Sequence, residues 1–178
     1  RDLLKEYNKV EPGQYKDLAR QWMRKASAVK NVTEEQIQEV ARLQLAIQKF
    51  IDELSANAVA VDCMALLKSA NVSPCVNVEQ LDDKRIPTSC EADLNSLFAK
   101  LILSYLSGKP SFMGNLVTLN PEENILVIAH NTMPLRMAGF DRELQPYALW
   151  PYGGTGVQIV SEMVINEAVT LLRVARNL

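Results

Sequence analysis

The chain carries a single histidine, His130, so it cannot supply a multi-histidine metal site, and no Ser/His/Asp arrangement follows from its spacing. Charge of one sign is also lacking. Nineteen Lys and Arg against 21 Asp and Glu leave a net −2, with the basic residues dispersed, which excludes a positive field for nucleic acid. No apolar run approaches the ~20 residues needed to cross a bilayer; the longest are pieces such as Leu101-Ile102-Leu103, so a soluble protein without a membrane partner is expected. Cysteine is sparse. Cys63, Cys75 and Cys90 are odd in number, widely spaced and set among apolar residues, the pattern of reduced, buried thiols and of a cytoplasmic protein. No initiator Met, signal region or capping residue opens the chain, and both ends read as cut, as in an internal segment of a larger protein. There is no internal repeat and no low-complexity tract.

What is present is ordinary globular material, 48% hydrophobic and 22% charged, long enough for one substantial core or for one domain and the start of another. Leu18, Trp22, Ala26 and Val29 share a helical face over 15–29. Thr33-Glu34-Glu35-Gln36 is a capping box opening a helix that carries Ile37, Val40, Ile47 and Ile51 to about Leu54. The apolar run 58–64 directly afterwards reads as a buried parallel strand. Residues 74–78 are expected to form a second strand or an extended loop. Thr88 or Ser89 can cap a helix starting near Glu91, with Leu94, Leu97, Phe98, Leu101, Ile102 and Tyr105 facing inward and Gly108 ending it. Residues 111–118 and 125–129 are strand candidates around a turn cluster at Asn120-Pro121. The Pro- and Gly-rich stretch 131–156 reads as a long surface connection, and 168–176 as a strand. The fold class is therefore α/β, a parallel-sheet sandwich with a Rossmann-like layer over residues 1–131. The loop and first strands of a second, β-rich (barrel) domain are expected over 132–178.

Few residues could carry chemistry. Glu91 stands at the start of the expected helix, where the helix dipole favours a carboxylate and where the mouth of an α/β sheet can hold a metal or move a proton. A structural role as a first-turn acid explains it equally. His130 ends a strand at the same kind of edge, and a satisfied structural imidazole is its plain alternative. Gly153-Gly154-Thr155-Gly156 has neither the Lys of a P-loop nor the spacing of a dinucleotide turn. Trp150 could present its face to a sugar ring or anchor a domain interface.

The run Ser89-Cys90-Glu91-Ala92-Asp93-Leu94 through Leu106-Ser107-Gly108, followed by Phe112-Met113-Gly114-Asn115, resembles the L-fucose isomerase family, which includes isomerases of the L-fucose and L-arabinose type. Residues 58–63, 125–134 and 169–173 are similar to shorter members in the same order. The resemblance implies an aldose-ketose isomerase that uses a divalent metal, manganese, works through an enediol, and assembles as a homo-oligomer. It places Glu91 as metal ligand and catalytic acid/base and Asn115 where a second acidic ligand is expected; His130 is left as a substitute ligand, a substrate contact or neither, and Trp150, read as a substrate contact from its ring, stands where shorter members carry more polar residues. An amide at 115 can coordinate a hard cation but cannot pass a proton. That departure leaves a non-catalytic sugar-binding or regulatory relative as the alternative.

Overall fold

A computed structural model describes residues 2–163 and 165–175. Helices α1 (Asp2–Lys9) and α2 (Pro12–Lys25) pack on α3 (Glu34–Leu54). Pro12 opens α2 at a position where its missing N–H costs nothing. The Thr33 capping box is formed in full: Gln36 N donates to Thr33 Oγ1 at 3.2 Å and Thr33 N to Gln36 Oε1 at 2.8 Å. Both ends of an exposed donor pair are thereby satisfied. Thr33→Ala is expected to lower stability by about 1 kcal/mol in urea unfolding, the usual worth of such a cap. Ile37, Val40, Leu43, Ile47 and Ile51 of α3 form the spine of the main core, with Trp22 of α2 against it.

Three small sheets are laid around this helix. Strand β1 (Ala28–Val29) pairs in parallel with β6 (Tyr147–Tyr152), and β6 forms an antiparallel hairpin with β7 (Gly156–Ser161). Strand β2 (Val59–Ala60) pairs in parallel with β3 (Thr88–Ser89). Strands β4 (Asn115–Asn120) and β5 (Ile125–Ala129) make a second hairpin, whose turn is held by Asn120 Oδ1 accepting from the backbone N–H groups of Glu122 and Glu123.

Several segments depart from expectation. Residues 74–78 form neither strand nor loop but open helix α5 (Cys75–Asp82), which is buried on nearly every side. A short apolar run has no period by which strand and buried helix can be told apart. Asn77 ties α5 to α3 by donating to Val40 O at 3.0 Å and to Gln44 Oε1 at 3.1 Å. The apolar run 58–64 keeps only two strand residues, because Asp62 caps α4 (Cys63–Ala70) by accepting from Ala65 N at 3.0 Å.

Helix α6 (Leu94–Ser107) begins after Glu91. Its cap is Asp93, which accepts from Ser96 N at 2.9 Å, not Thr88 or Ser89. Its buried face is Ala99 and Lys100, while Leu94, Phe98 and Tyr105 are exposed. The helix is turned by a buried ion pair, Lys100 Nζ to Asp82 Oδ2 at 2.5 Å, and not by its apolar stripe.

Within the stretch read as a surface connection, β6 alternates Tyr147 and Leu149 into the core. Leu149, Val157 and Ile159 bury against the same cluster as Trp22 and Val40. Of the strand expected at 168–176, the described residues 168–175 carry no regular structure, since a strand needs a neighbour for its backbone groups; residue 176 lies outside the described residues. Among the described residues no helix is long and apolar enough to cross a membrane.

Candidate functional site

Two chain segments meet where parallel strands β2 and β3 end. Beyond β3 the backbone turns sharply. Ala92 N donates to Val61 O at 3.0 Å and Asp93 N to Cys90 O at 3.1 Å. Glu91 and Ala92 are both left-handed, at φ 60° and 51°. Two consecutive non-glycine residues there cost roughly 1–3 kcal/mol each, a strain that the flanking strand and the Asp93 cap hold in place. The effect is to lift the Glu91 carboxylate, half-exposed, off the sheet end.

Opposite it, His130 follows β5 directly. Its Nε2 lies 4.0 Å from Glu91 Oε1, with the imidazole almost wholly buried. Its Nδ1 is 2.8 Å from the hydroxyl of Thr132, which is fully buried. Burial lowers the His130 pKa, Lys100 adding to this and Glu91 opposing it, so the ring is neutral near pH 7. A cavity of about 330 Å³ adjoins His130, walled by Phe112, Ile128, Asn131 and Gln158 among others.

Asn115 begins β4 and is the register partner of Ala129, the residue before His130. The hairpin therefore delivers Asn115 and His130 to the same end. Gly114 precedes Asn115 because any Cβ there would sit 2.5 Å from Ile128 Cγ2. Trp150 lies elsewhere, on β6 and outside the cavity lining, with Lys30 Nζ 5.1 Å from its ring centroid.

Tyr152, two residues on, was not a candidate from sequence. Burial raises the pKa of its phenol, and the nearby thiols and Glu91 add to this. The cysteines are free and buried. Burial pushes Cys75 up to about 11 and raises Cys90 as well, so Cys75 and Cys90 are inert thiols near neutral pH.

The donor set can be compared with the needs of a hard divalent cation. Glu91 and Asn115 offer the oxygen ligands that suit manganese, and His130 stands 4.0 Å from Glu91. Among the described residues no group of three His, Cys, Asp or Glu converges on a point, so the pair is a partial set.

No family model matches the chain. Among curated proteins it is 27% identical over 96 residues to the sulfoquinovose isomerase of Alkalicoccus urumqiensis, covering 53% of this chain and 22% of that protein. It is 28% identical over 102 residues to the sulfoquinovose isomerases of Priestia aryabhattai and Priestia megaterium, covering 56% of this chain and 23% of each. The matches span less than a quarter of these relatives. This chain is distantly similar, over about half its length, to sugar isomerases.

Proposed function

We propose that this chain is a segment of a metal-dependent aldose-ketose isomerase, with Glu91 as its acid/base. The observation that carries the reading is the approach of Glu91 to His130 at the end of the β2–β3 pair, His130 also lining a cavity of about 330 Å³; the distant similarity to sulfoquinovose isomerases supports it.

The reaction moves one proton between neighbouring carbons. The Glu91 carboxylate removes the hydrogen from the carbon beside the aldose carbonyl while the carbonyl oxygen takes up a proton, giving an enediol, and then returns the hydrogen to the former carbonyl carbon as the neighbouring hydroxyl gives up its proton. Neutral His130 keeps a ring nitrogen against the carboxylate. Tyr152, protonated, can donate to a substrate hydroxyl. Asn115 can accept or donate at the same end but cannot carry the proton, which leaves Glu91 to serve both carbons. Trp150 lies outside the cavity lining with Lys30 over its ring and takes no part in this reading. A divalent cation, manganese by the resemblance, would supply Lewis-acid polarisation of the sugar carbonyl and so acidify the carbon-bound hydrogen beside it. Glu91 and Asn115 are the donors this chain would offer it, with His130 beside Glu91 and other ligands coming from elsewhere in the full-length protein.

The test is aldose-to-ketose conversion by full-length protein with and without manganese, followed by NMR of the sugar. Glu91→Gln is expected to lower kcat by about a hundredfold, the lower end of what a positioned acid/base contributes. Unchanged turnover in Glu91→Gln sinks the reading. Sugar binding that survives a chelator, with no turnover at all, replaces it with a binding role.

A further inference from the structure

Thr132 has no role in the reaction as described, yet its hydroxyl is fully buried and its partner is His130 Nδ1 at 2.8 Å. A buried hydroxyl carries a proton that needs an acceptor. The imidazole nitrogen is the acceptor the structure provides. On the far side of the ring, Nε2 faces Glu91 Oε1 at 4.0 Å. A carboxylate opposite a ring nitrogen favours an N–H there, because a lone pair would repel it. The two ends of the ring call for the same arrangement: proton on Nε2, lone pair on Nδ1.

We infer that Thr132 is a positioning residue: its hydroxyl donates to His130 Nδ1 and holds the imidazole as the Nε2–H tautomer, directed at Glu91. The inference rests on the reading of Glu91 and His130 as the reacting corner. The opposite tautomer would put a lone pair against the carboxylate and push Glu91 away from the ring. Because Thr132 follows His130 by two residues, one short loop sets ring, tautomer and partner together.

The chain has one histidine, so a long-range 1H–15N spectrum taken near pH 8 contains a single imidazole and identifies its protonated nitrogen directly. The expected spectrum of the wild-type chain shows Nε2 protonated and Nδ1 as a hydrogen-bonded lone pair. Thr132→Ser keeps this pattern. Thr132→Val keeps the shape but removes the donor, and is expected to lose the hydrogen-bond shift at Nδ1 and to mix the two tautomers. In the full-length enzyme Thr132→Val lowers kcat on the order of tenfold with KM little changed, as for other outer partners that fix an imidazole, and Thr132→Ser restores it. A wild-type spectrum with the proton on Nδ1 overturns the inference, as does a Thr132→Val protein with unchanged spectrum and kcat. If Thr132→Val does not fold, the wild-type and Thr132→Ser spectra decide alone. Unchanged turnover in Glu91→Gln would remove the proposed reaction but leave the spectral result on Thr132 standing.

Discussion

Lys100→Met should destabilise the chain by about 3–5 kcal/mol near neutral pH, the cost of stripping one partner from a buried ion pair. For a domain of this size that is a fall of roughly 6–20 °C in Tm. Lys100 is among the most buried side chains of the molecule, at 1% exposure. Its ammonium donates to Asp82 Oδ2 at 2.5 Å and to Thr88 O at 2.6 Å, and Asp82 Oδ1 accepts from Thr88 N at 2.9 Å. One lysine thus joins α5, β3 and α6 at the strand that leads into Glu91. Without it, Asp82 is left buried against a single backbone N–H. Burial already raises the Asp82 carboxyl above its ordinary range, with Lys100 working against that shift; removing Lys100 raises it further. A carboxyl raised in the folded state contributes stability that is present below its unfolded pKa and is lost as pH rises towards the folded one. The Lys100→Met penalty should therefore be smaller near pH 4 than near pH 8. Urea unfolding at the two pH values checks this, and Asp82→Asn/Lys100→Met should recover much of the loss. A penalty equal at both would show that the lysine acts through packing alone.

The same pair explains why parts of the fold were legible in the sequence and others were not. Local chemistry read correctly at two self-contained places: the Thr33 box closes within one turn, and the Asn120 turn closes within three residues. Helix α6 read wrongly at both its start and its facing. A stripe of Leu94, Phe98 and Tyr105 argues for an apolar buried face, but the orientation is set by a charge partner on another helix, which periodicity does not register. Likewise β6 is interrupted by Pro151 and followed by two glycines, composition that speaks for loop. What makes 147–149 a strand is the pairing to Ala28 and Val29, distant in sequence. Glu91 and His130 were each visible as residues just past a strand. Their closeness was not, because it depends on how the β4–β5 hairpin folds back over β3. Thr132 gave no signal, since a threonine matters here only through the ring nitrogen it reaches.

Replacing Glu79 by Gln should make the chain more stable above pH 5, by an amount that grows with pH. Glu79 is fully buried, and neither carboxyl oxygen has a hydrogen-bond partner. Burial raises its pKa well above the usual carboxylate value, the nearby Asp83 and Asp82 add to this, and the Met133 backbone and Lys100 offset it only in part. Near neutral pH the folded chain therefore holds Glu79 as the neutral acid, while the unfolded chain releases that proton above about pH 4.5. The folded state then binds one proton more than the unfolded state, and stability falls by about 1.4 kcal/mol for each pH unit between those two pKa values. Gln has the same shape and no proton to lose. Wild type and Glu79→Gln should match near pH 4 and separate by roughly 3 kcal/mol between pH 5 and 7, measured as the difference in urea unfolding free energy; Asp82, Asp83 and His130 titrate in both proteins and largely cancel. Parallel profiles would mean that Glu79 is ionised in the folded chain.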